Sequence, residues 1–250
     1  MPKVAAAGRS LEYEWTGEGA RTLVFLHEGL GSIRQWRDFP AQVAKATGCR
    51  ALLYDRYGYG RSDVLQEPRV GAEFMHDGAL NELPELLENL NVRDPVLIGH
   101  SDGASIALIH AGTYEVRGVV VMAPHVFIEA VCIDSIAKAA RAFESTDLPA
   151  RLGKYHKDPR KTFHLWADAW LDPAFRDWNI EEYLPRLKCP LLAIQGEGDE
   201  YGTMAQLDAI RQRAGGRCEL LKLPDCGHSP HKDQPERVLR AITDFVKGLG

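Results

Sequence analysis

Apolar positions along the chain fall into two kinds of run, and their alternation predicts the architecture. Leu11-Glu12-Tyr13-Glu14-Trp15 alternates apolar and polar residues, the period of a strand with one covered face, and Thr16-Gly17-Glu18-Gly19 turns the chain. Thr22–Leu26, Arg50–Tyr54, Gly118–Met122 and the stretches 94–98 and 190–195 are short and almost continuously apolar, as strands covered on both faces of a parallel sheet are. Cys218–Leu223 predicts the last strand. Helical spacing fills the intervals. Trp36, Phe39 and Val43 recur over 33–46, with Pro40 either breaking that helix or opening it. Leu80, Leu83, Leu86, Leu87 and Leu90 share one face of a helix over 75–90, which Pro84 argues against being straight. A small-residue helix follows over 104–109, and a closing helix runs from Pro235 or Glu236 to about Lys247. Strands alternating with helices predict an α/β class with a mostly parallel central sheet flanked by helices.

One stretch departs from this rhythm. Between 127 and 183 the pattern is helical with no convincing strand, and Pro149, Pro159 and Pro173 interrupt it. It carries Phe143, Tyr155, Phe163, Trp166, Trp170, Phe175 and Trp178. This is read as a helical lid of residues 125–185 inserted into a core of 1–124 and 186–250, covering the carboxyl edge of the sheet. Most of those aromatics pack the lid onto the core. Trp166 and Trp170 are taken as the ones that face a ligand.

Composition narrows the function. The 250 residues, 45% of them apolar, suffice for one large α/β domain or two small ones. A net charge of −5 speaks against a nucleic-acid partner. No run approaches the roughly 18 apolar residues of a membrane span. The N-terminal apolar stretch is too short for a secretory signal, so a cytoplasmic protein, monomer or homodimer, acting on a small molecule is expected. Cys49, Cys132, Cys189, Cys218 and Cys226 form an odd set without CxxC spacing, which predicts free thiols. His228 and His231, three apart, lack companions for a metal site, and no cofactor is implied.

The candidate chemistry centres on Gly99-His100-Ser101-Asp102-Gly103, set between a strand run and a helix run. A serine on so tight a turn holds strained backbone angles, and glycines two residues to either side leave room for the helix to approach the strand. Serine is a poor nucleophile until a base takes its proton; histidine can take that proton and return it, and an acid must hold the imidazole in the right tautomer. Those partners follow in the order Ser101, Asp199, His228, each just past a predicted strand. Asp199 is preferred over Glu197 and Glu200 because it ends the turn opened by Gly196, and His228 over His231 because Gly227 suits a tight loop. His27-Glu28-Gly29-Leu30-Gly31-Ser32 leaves a buried strand and can aim backbone N–H groups at a developing oxyanion, with Gly29 as donor and Leu30 as the alternative.

Taken with Asp55-Arg56-Tyr57-Gly58-Tyr59-Gly60-Arg61-Ser62, Gln195-Gly196-Glu197-Gly198-Asp199 and Gly227-His228-Ser229-Pro230, these segments make the chain resemble the α/β-hydrolase fold superfamily over nearly its whole length. The resemblance implies the α/β-hydrolase fold with its lid after the sixth strand, and Ser101 places the chain in the serine-nucleophile branch. It also implies that the Asp102 N–H is the second oxyanion donor, with the Asp102 side chain at the site. The turn at Gly99-His100-Ser101-Asp102-Gly103 resembles that of biphenyl-hydrolase-like enzymes that cleave α-amino acid esters, where such an aspartate pairs with the substrate ammonium. The alternative is that Asp102 caps its helix or pairs with an arginine. Glu28, where the family usually has glycine, adds a second negative charge. Glu28, Leu30, His100, His125, Trp166 and Trp170 are the expected substrate contacts, with Glu129 a further candidate at the start of the lid. The reading is a serine hydrolase of a small ester, thioester or lactone acting through an acyl-enzyme. A C–C bond hydrolase on an aromatic ring-cleavage product and a ligand-binding sensor that retains the triad are the alternatives.

Overall fold

In the computed structural model, which describes residues 1–66 and 73–250, the buried runs become the middle of an eight-stranded sheet. The strands are β1 (Lys3–Ala6), β2 (Arg9–Thr16), β3 (Thr22–Leu26), β4 (Arg50–Tyr54), β5 (Val96–His100), β6 (Gly118–Met122), β7 (Leu191–Gly196) and β8 (Cys218–Leu223). Their order is β1-β2-β4-β3-β5-β6-β7-β8. β1 and β2 pair antiparallel, as do β2 and β4, and every later pairing is parallel. All residues of β3, β5, β6 and β7 are buried. Successive strand residues point to opposite faces, so each continuous apolar run feeds two cores. Leu23, Phe25, Ile98, Val120 and Ile194 join Trp36, Phe39, Val238, Ile242 and Phe245 on one face. Val24, Leu26, Leu97, Val121 and Ala193 join Leu83, Ile106, Trp170 and Phe175 on the other.

The first face is closed by α1 (Phe39–Thr47) and α10 (Pro235–Lys247). Pro235 opens α10, where its missing N–H is no loss, and Val238, Ile242, Phe245 and Val246 form its buried stripe. A fully buried side chain such as Ile242 contributes about 1.5–3 kcal/mol by leaving water. The opposite face carries α2 (Phe74–Asp77), α3 (Leu83–Asn89), α4 (Asp102–Ala111) and α8 (Ala205–Arg213). The segment between β6 and β7 supplies α5 (Ala130–Ser145), α6 (Leu148–Leu152) and α7 (Pro159–Leu171), followed by 3-10 turns at Pro173–Phe175 and Glu181–Arg186. Stacked Phe143 and Phe163, 3.9 Å apart, hold α5 to α7. Among the described residues no strand lies in this segment; Phe127 and Asn179 form an isolated bridge. The short α9 (Pro230–Asp233) follows the loop after β8.

Some boundaries differ from expectation for identifiable reasons. The helix expected over 33–46 breaks at Arg37, whose φ is 55°, into a 3-10 turn and α1, and Pro40 sits in the first turn of α1. The helix over 75–90 runs without a break through a π turn, Gly78–Glu82, immediately before α3, and Pro84 follows that turn, whose wider hydrogen-bond spacing accommodates a residue without an N–H. β5 starts at Val96 because Asp94, with φ of 50°, and Pro95 form the turn into it. β1 was unforeseen: only Ala6 of its four residues is buried, so this edge strand has no alternation to declare it. Among the described residues no helix is long and apolar enough to cross a membrane.

Candidate active site

β5 delivers its chain into α4 through Ser101, which holds φ 52° and ψ −119°. A side chain with those angles is strained, and the neighbours enforce them. The Ser101 N–H donates to the Met122 carbonyl at 2.9 Å, and its carbonyl accepts the N–H groups of Ala104 and Ser105. A Cβ on Gly99 would overlap the Gly103 carbonyl oxygen, and one on Gly103 would overlap that of Leu26. The turn therefore tolerates only glycine at both positions, which is the reason for the pentapeptide.

Two loops bring partners to this serine. His228 follows β8, and its Nε2 lies 3.0 Å from Ser101 Oγ. Its Nδ1 lies 2.8 Å from Oδ1 of Asp199, which follows β7. A carboxylate only accepts, so Nδ1 carries the proton and Nε2 is left to accept from the Ser101 hydroxyl. Asp199 also accepts from the Tyr201 N–H at 2.9 Å and from Gln195 Nε2 at 3.2 Å. Burial pushes the Asp199 carboxyl up, but the His228 hydrogen bond and charge, with the Tyr201 N–H, outweigh it and hold the group below the usual range. The His228 main chain is fixed too: its carbonyl accepts from His100 Nε2 at 2.7 Å and its N–H donates to Glu200 at 3.2 Å. His231 is elsewhere, buried against Trp36 and Phe39 with no hydrogen bond to either ring nitrogen among the described residues.

The loop after β3 is held by its carbonyls. Glu28 O accepts from His27 Nδ1 at 2.8 Å and from Arg56 Nη2 at 3.0 Å, while His27 Nε2 accepts the Arg56 N–H at 3.1 Å. Among the described residues the N–H groups of Gly29, Leu30 and Asp102 have no hydrogen-bond partner. Free donors beside a serine hydroxyl are what a developing oxyanion requires.

The Asp102 side chain is fully buried, accepting from Trp170 Nε1 at 3.2 Å and lying 3.7 Å from Arg56 Nη2. The arginine pairing foreseen for Asp102 is thus present. Burial still raises its pKa, with Arg56 and Trp170 opposing. Glu28 lies 3.5 Å from His100 Nδ1 and 3.2 Å from Lys232 Nζ. Burial would raise the Glu28 carboxyl, but the His100 contact and the charges of His100 and Lys232 hold it well below the usual range. His125 is buried edge-on to Trp170 at 5.1 Å, and burial together with the His228 charge pushes its pKa down to about 3.

These groups surround a cavity of about 210 Å³. Glu28, Gly29, Leu30, His100, Ser101, Asp102, His125, Trp166, Trp170 and His228, all singled out in the sequence, line it. Asp199 stands behind His228. Glu129 does not line the cavity; it accepts from Thr203 N, Thr203 Oγ1 and Gln206 Nε2, tying the start of the inserted segment to the loop beyond Asp199. Sequence reasoning missed Cys132, Ile136, Glu200, Tyr201 and Ser229 in the lining, and Arg56 behind Asp102. Proximity to Asp199 and His228 was a usable signal for Glu200, Tyr201 and Ser229; Cys132 and Ile136 had none beyond the helical period of α5. Tyr201 packs on the His228 ring at 4.6 Å. Cys226, two residues before His228, is buried, and its thiol is pushed up to about 11 by burial and Asp233. Among the described residues no group of three or more His, Cys, Asp or Glu is placed to hold a metal ion.

Comparison with known proteins shows what the chain is similar to. Human serine hydrolase BPHL is 26% identical over 98% of this chain and 86% of its own length. The proline iminopeptidase of Saccharolobus solfataricus is 36% identical over 90% of this chain and 84% of its own. Among solved structures, the meta-cleavage product hydrolase from Pseudomonas fluorescens IP01 superposes with a TM-score of 0.79 at 19% identity, covering 100% of this chain and 98% of that one. The profile of the alpha/beta hydrolase family matches residues 23–241. On these grounds, and on its sheet order and strained serine turn, the chain belongs to the alpha/beta hydrolase family.

Proposed function

We propose that the protein is a serine hydrolase that cleaves a small carboxylic ester, thioester or lactone through an acyl-enzyme. The observation that carries this reading is the unbroken relay from Ser101 Oγ to His228 Nε2, 3.0 Å, and from His228 Nδ1 to Asp199, 2.8 Å. Ser101 Oγ attacks the acyl carbon as His228 Nε2 takes its proton, and Asp199 stabilises the imidazolium without itself being protonated. The N–H groups of Gly29, or Leu30, and Asp102 receive the negative charge on the carbonyl oxygen. Collapse of the tetrahedral adduct breaks the bond to the leaving group, which departs with the proton from His228. Water then repeats the sequence on the acyl-enzyme and releases the acid. Residues 125–185 act as the lid, since Cys132, Ile136, Trp166 and Trp170 roof the cavity.

The substrate class follows from size and charge. A cavity of about 210 Å³ suits a small ester, and its lining holds Glu28, Asp102 and Glu200 but no lysine or arginine among the described residues. Such a field favours an uncharged or cationic substrate over an anionic one. Asp102 Oδ2 has no hydrogen-bond partner among the described residues, but Arg56 Nη2 lies 3.7 Å from it, so a substrate ammonium group would share this carboxylate with the guanidinium.

The test is steady-state hydrolysis of paired chromogenic esters, with and without a free α-amino group, by wild type, Ser101→Ala and His228→Ala. Both variants are expected to lose at least about 10³-fold in kcat. The wild-type ratio between the esters reports ammonium selection, which Asp102→Asn should diminish. Full turnover by Ser101→Ala would overturn the proposal.

A further inference from the structure

The strained part of the oxyanion loop is held from an unexpected direction. Leu30 has φ of 60°, in the left-handed region that costs a side-chain-bearing residue about 1 kcal/mol or more. Such a conformation persists only where the surroundings over-determine it. The Leu30 carbonyl accepts from His156 Nε2 at 3.0 Å, and the other nitrogen of that ring, Nδ1, accepts the Gly60 N–H at 2.8 Å. His156 is buried between α6 and α7, in the segment between β6 and β7. Both nitrogens are engaged, so a single tautomer fits, with the proton on Nε2.

The contact is part of a larger docking. The Lys157 N–H donates to the Gly60 carbonyl at 3.0 Å, and Thr162 Oγ1 donates to the Gly58 carbonyl at 2.8 Å. The loop of residues 55–62 that receives these bonds reaches the same oxyanion loop: Asp55 Oδ1 accepts the Ile33 N–H at 2.7 Å and Arg56 Nη2 donates to the Glu28 carbonyl. The carbonyls of Glu28 and Leu30 are thereby fixed by side chains from two other parts of the chain, one of them the inserted segment. Relaxing Leu30 to an ordinary φ would rotate the Gly29–Leu30 peptide and redirect its N–H, that of Leu30, within the loop that lines the cavity.

We infer that His156 is a positioning residue that shapes the oxyanion site from the inserted segment, by holding the Leu30 carbonyl and the Gly60 N–H at once. This rests on the reading of Ser101 as nucleophile and of Gly29, or Leu30, as an oxyanion donor. Its consequence is that the site is complete only while the segment carrying His156 is docked on the loop of residues 55–62.

Two polar replacements separate the two bonds. In His156→Asn the amide oxygen lies where Nδ1 does and keeps the Gly60 bond, while nothing reaches Leu30. In His156→Gln the longer amide reaches the Nε2 position and keeps the donor to Leu30. Thr162→Val loosens the same docking without touching Leu30 and serves as the control. Each variant is assayed for kcat and KM on a chromogenic ester, for affinity towards an alkylboronic acid that mimics the tetrahedral adduct, and for melting temperature. His156→Asn is expected to lower kcat about 10- to 100-fold with KM within about twofold, and to weaken the boronic acid by the same factor as kcat. His156→Gln and Thr162→Val are expected to stay within about threefold of wild type in kcat.

Equal kcat in His156→Asn and wild type would overturn the inference, as would losses in all three variants that track melting temperature. Should His156→Asn not fold, His156→Gln carries the test: a folded Gln variant that loses more than about tenfold in kcat overturns the role of Leu30 anchoring. Labelling by a fluorophosphonate is run first. A wild type not labelled on Ser101 defeats the serine-hydrolase reading itself, whereas labelled wild type with indifferent His156 variants defeats only the positioning role.

Discussion

His125 offers a test of the site's electrostatics that does not depend on knowing the substrate. Its ring is buried, its Nδ1 has no hydrogen-bond partner among the described residues, and burial with the His228 charge pushes its pKa to about 3 from an ordinary 6.5. A histidine depressed in the fold contributes stability that is present above its unfolded pKa and lost as pH falls through that value towards the folded one. Between pH 7 and pH 5 the unfolded chain takes up a proton at this position and the folded chain does not, so the group alone costs about 2 kcal/mol over that interval. His156, pushed to about 4 by burial, acts in the same direction. Asp55 opposes them: burial raises it to about 6, partly offset by the N–H groups of Arg61 and Ile33, so it stabilises the fold increasingly as pH falls through 6. His125→Leu, close to histidine in volume, removes one titrating group. Guanidinium unfolding of both proteins at pH 7 and pH 5 is the assay. Wild type should lose about 2 kcal/mol more than the variant over the two pH values. Equal losses would mean that His125 takes up its proton in the folded state, and the account of a desolvated ring beside His228 would be wrong.

Two further perturbations probe the framework. Gly103→Ala would drive a Cβ into the Leu26 carbonyl and is expected to destabilise by at least about 3 kcal/mol, read by chemical denaturation; a variant as stable as wild type would show that the serine turn has slack. Glu129→Gln weakens three hydrogen bonds that fasten the loop beyond Asp199, and should cost about 1–2 kcal/mol and reduce kcat with little change in KM; unaltered kinetics would show that Asp199 holds its position without this clasp.

The extent to which the site was legible follows from where each residue's information lies. Ser101, Asp199 and His228 each sit in a short loop directly after a strand, so local pattern and chain order were enough to single them out as candidates, and the fold brings them into hydrogen-bond contact. The division of each strand between two cores was equally readable, because a period of two is a local property. Arg56 was not readable as a site residue. Its guanidinium lies 3.7 Å from Asp102, 46 positions away, and packs 4.5 Å over Tyr59, and only the fold brings β4's outgoing loop to the serine turn. The same holds for His156, which resembles any loop histidine until its partners Leu30 and Gly60 are seen. Cys132 and Ile136 reach the cavity because α5 crosses it at one angle of several that its sequence allows. β1, with one buried residue, shows no alternation, and the apolar spacing over 75–90 does not distinguish a π turn from the α-helix around it.

The central claim is that an acyl group passes through Ser101. The most direct measurement is pre-steady-state reaction with a p-nitrophenyl ester, quenched in acid and read by intact mass and peptide mapping. The account predicts a burst of one nitrophenolate per chain and an acyl adduct on the peptide containing Ser101, with neither in Ser101→Ala. An adduct on another residue, or turnover by Ser101→Ala at the wild-type rate, would contradict it.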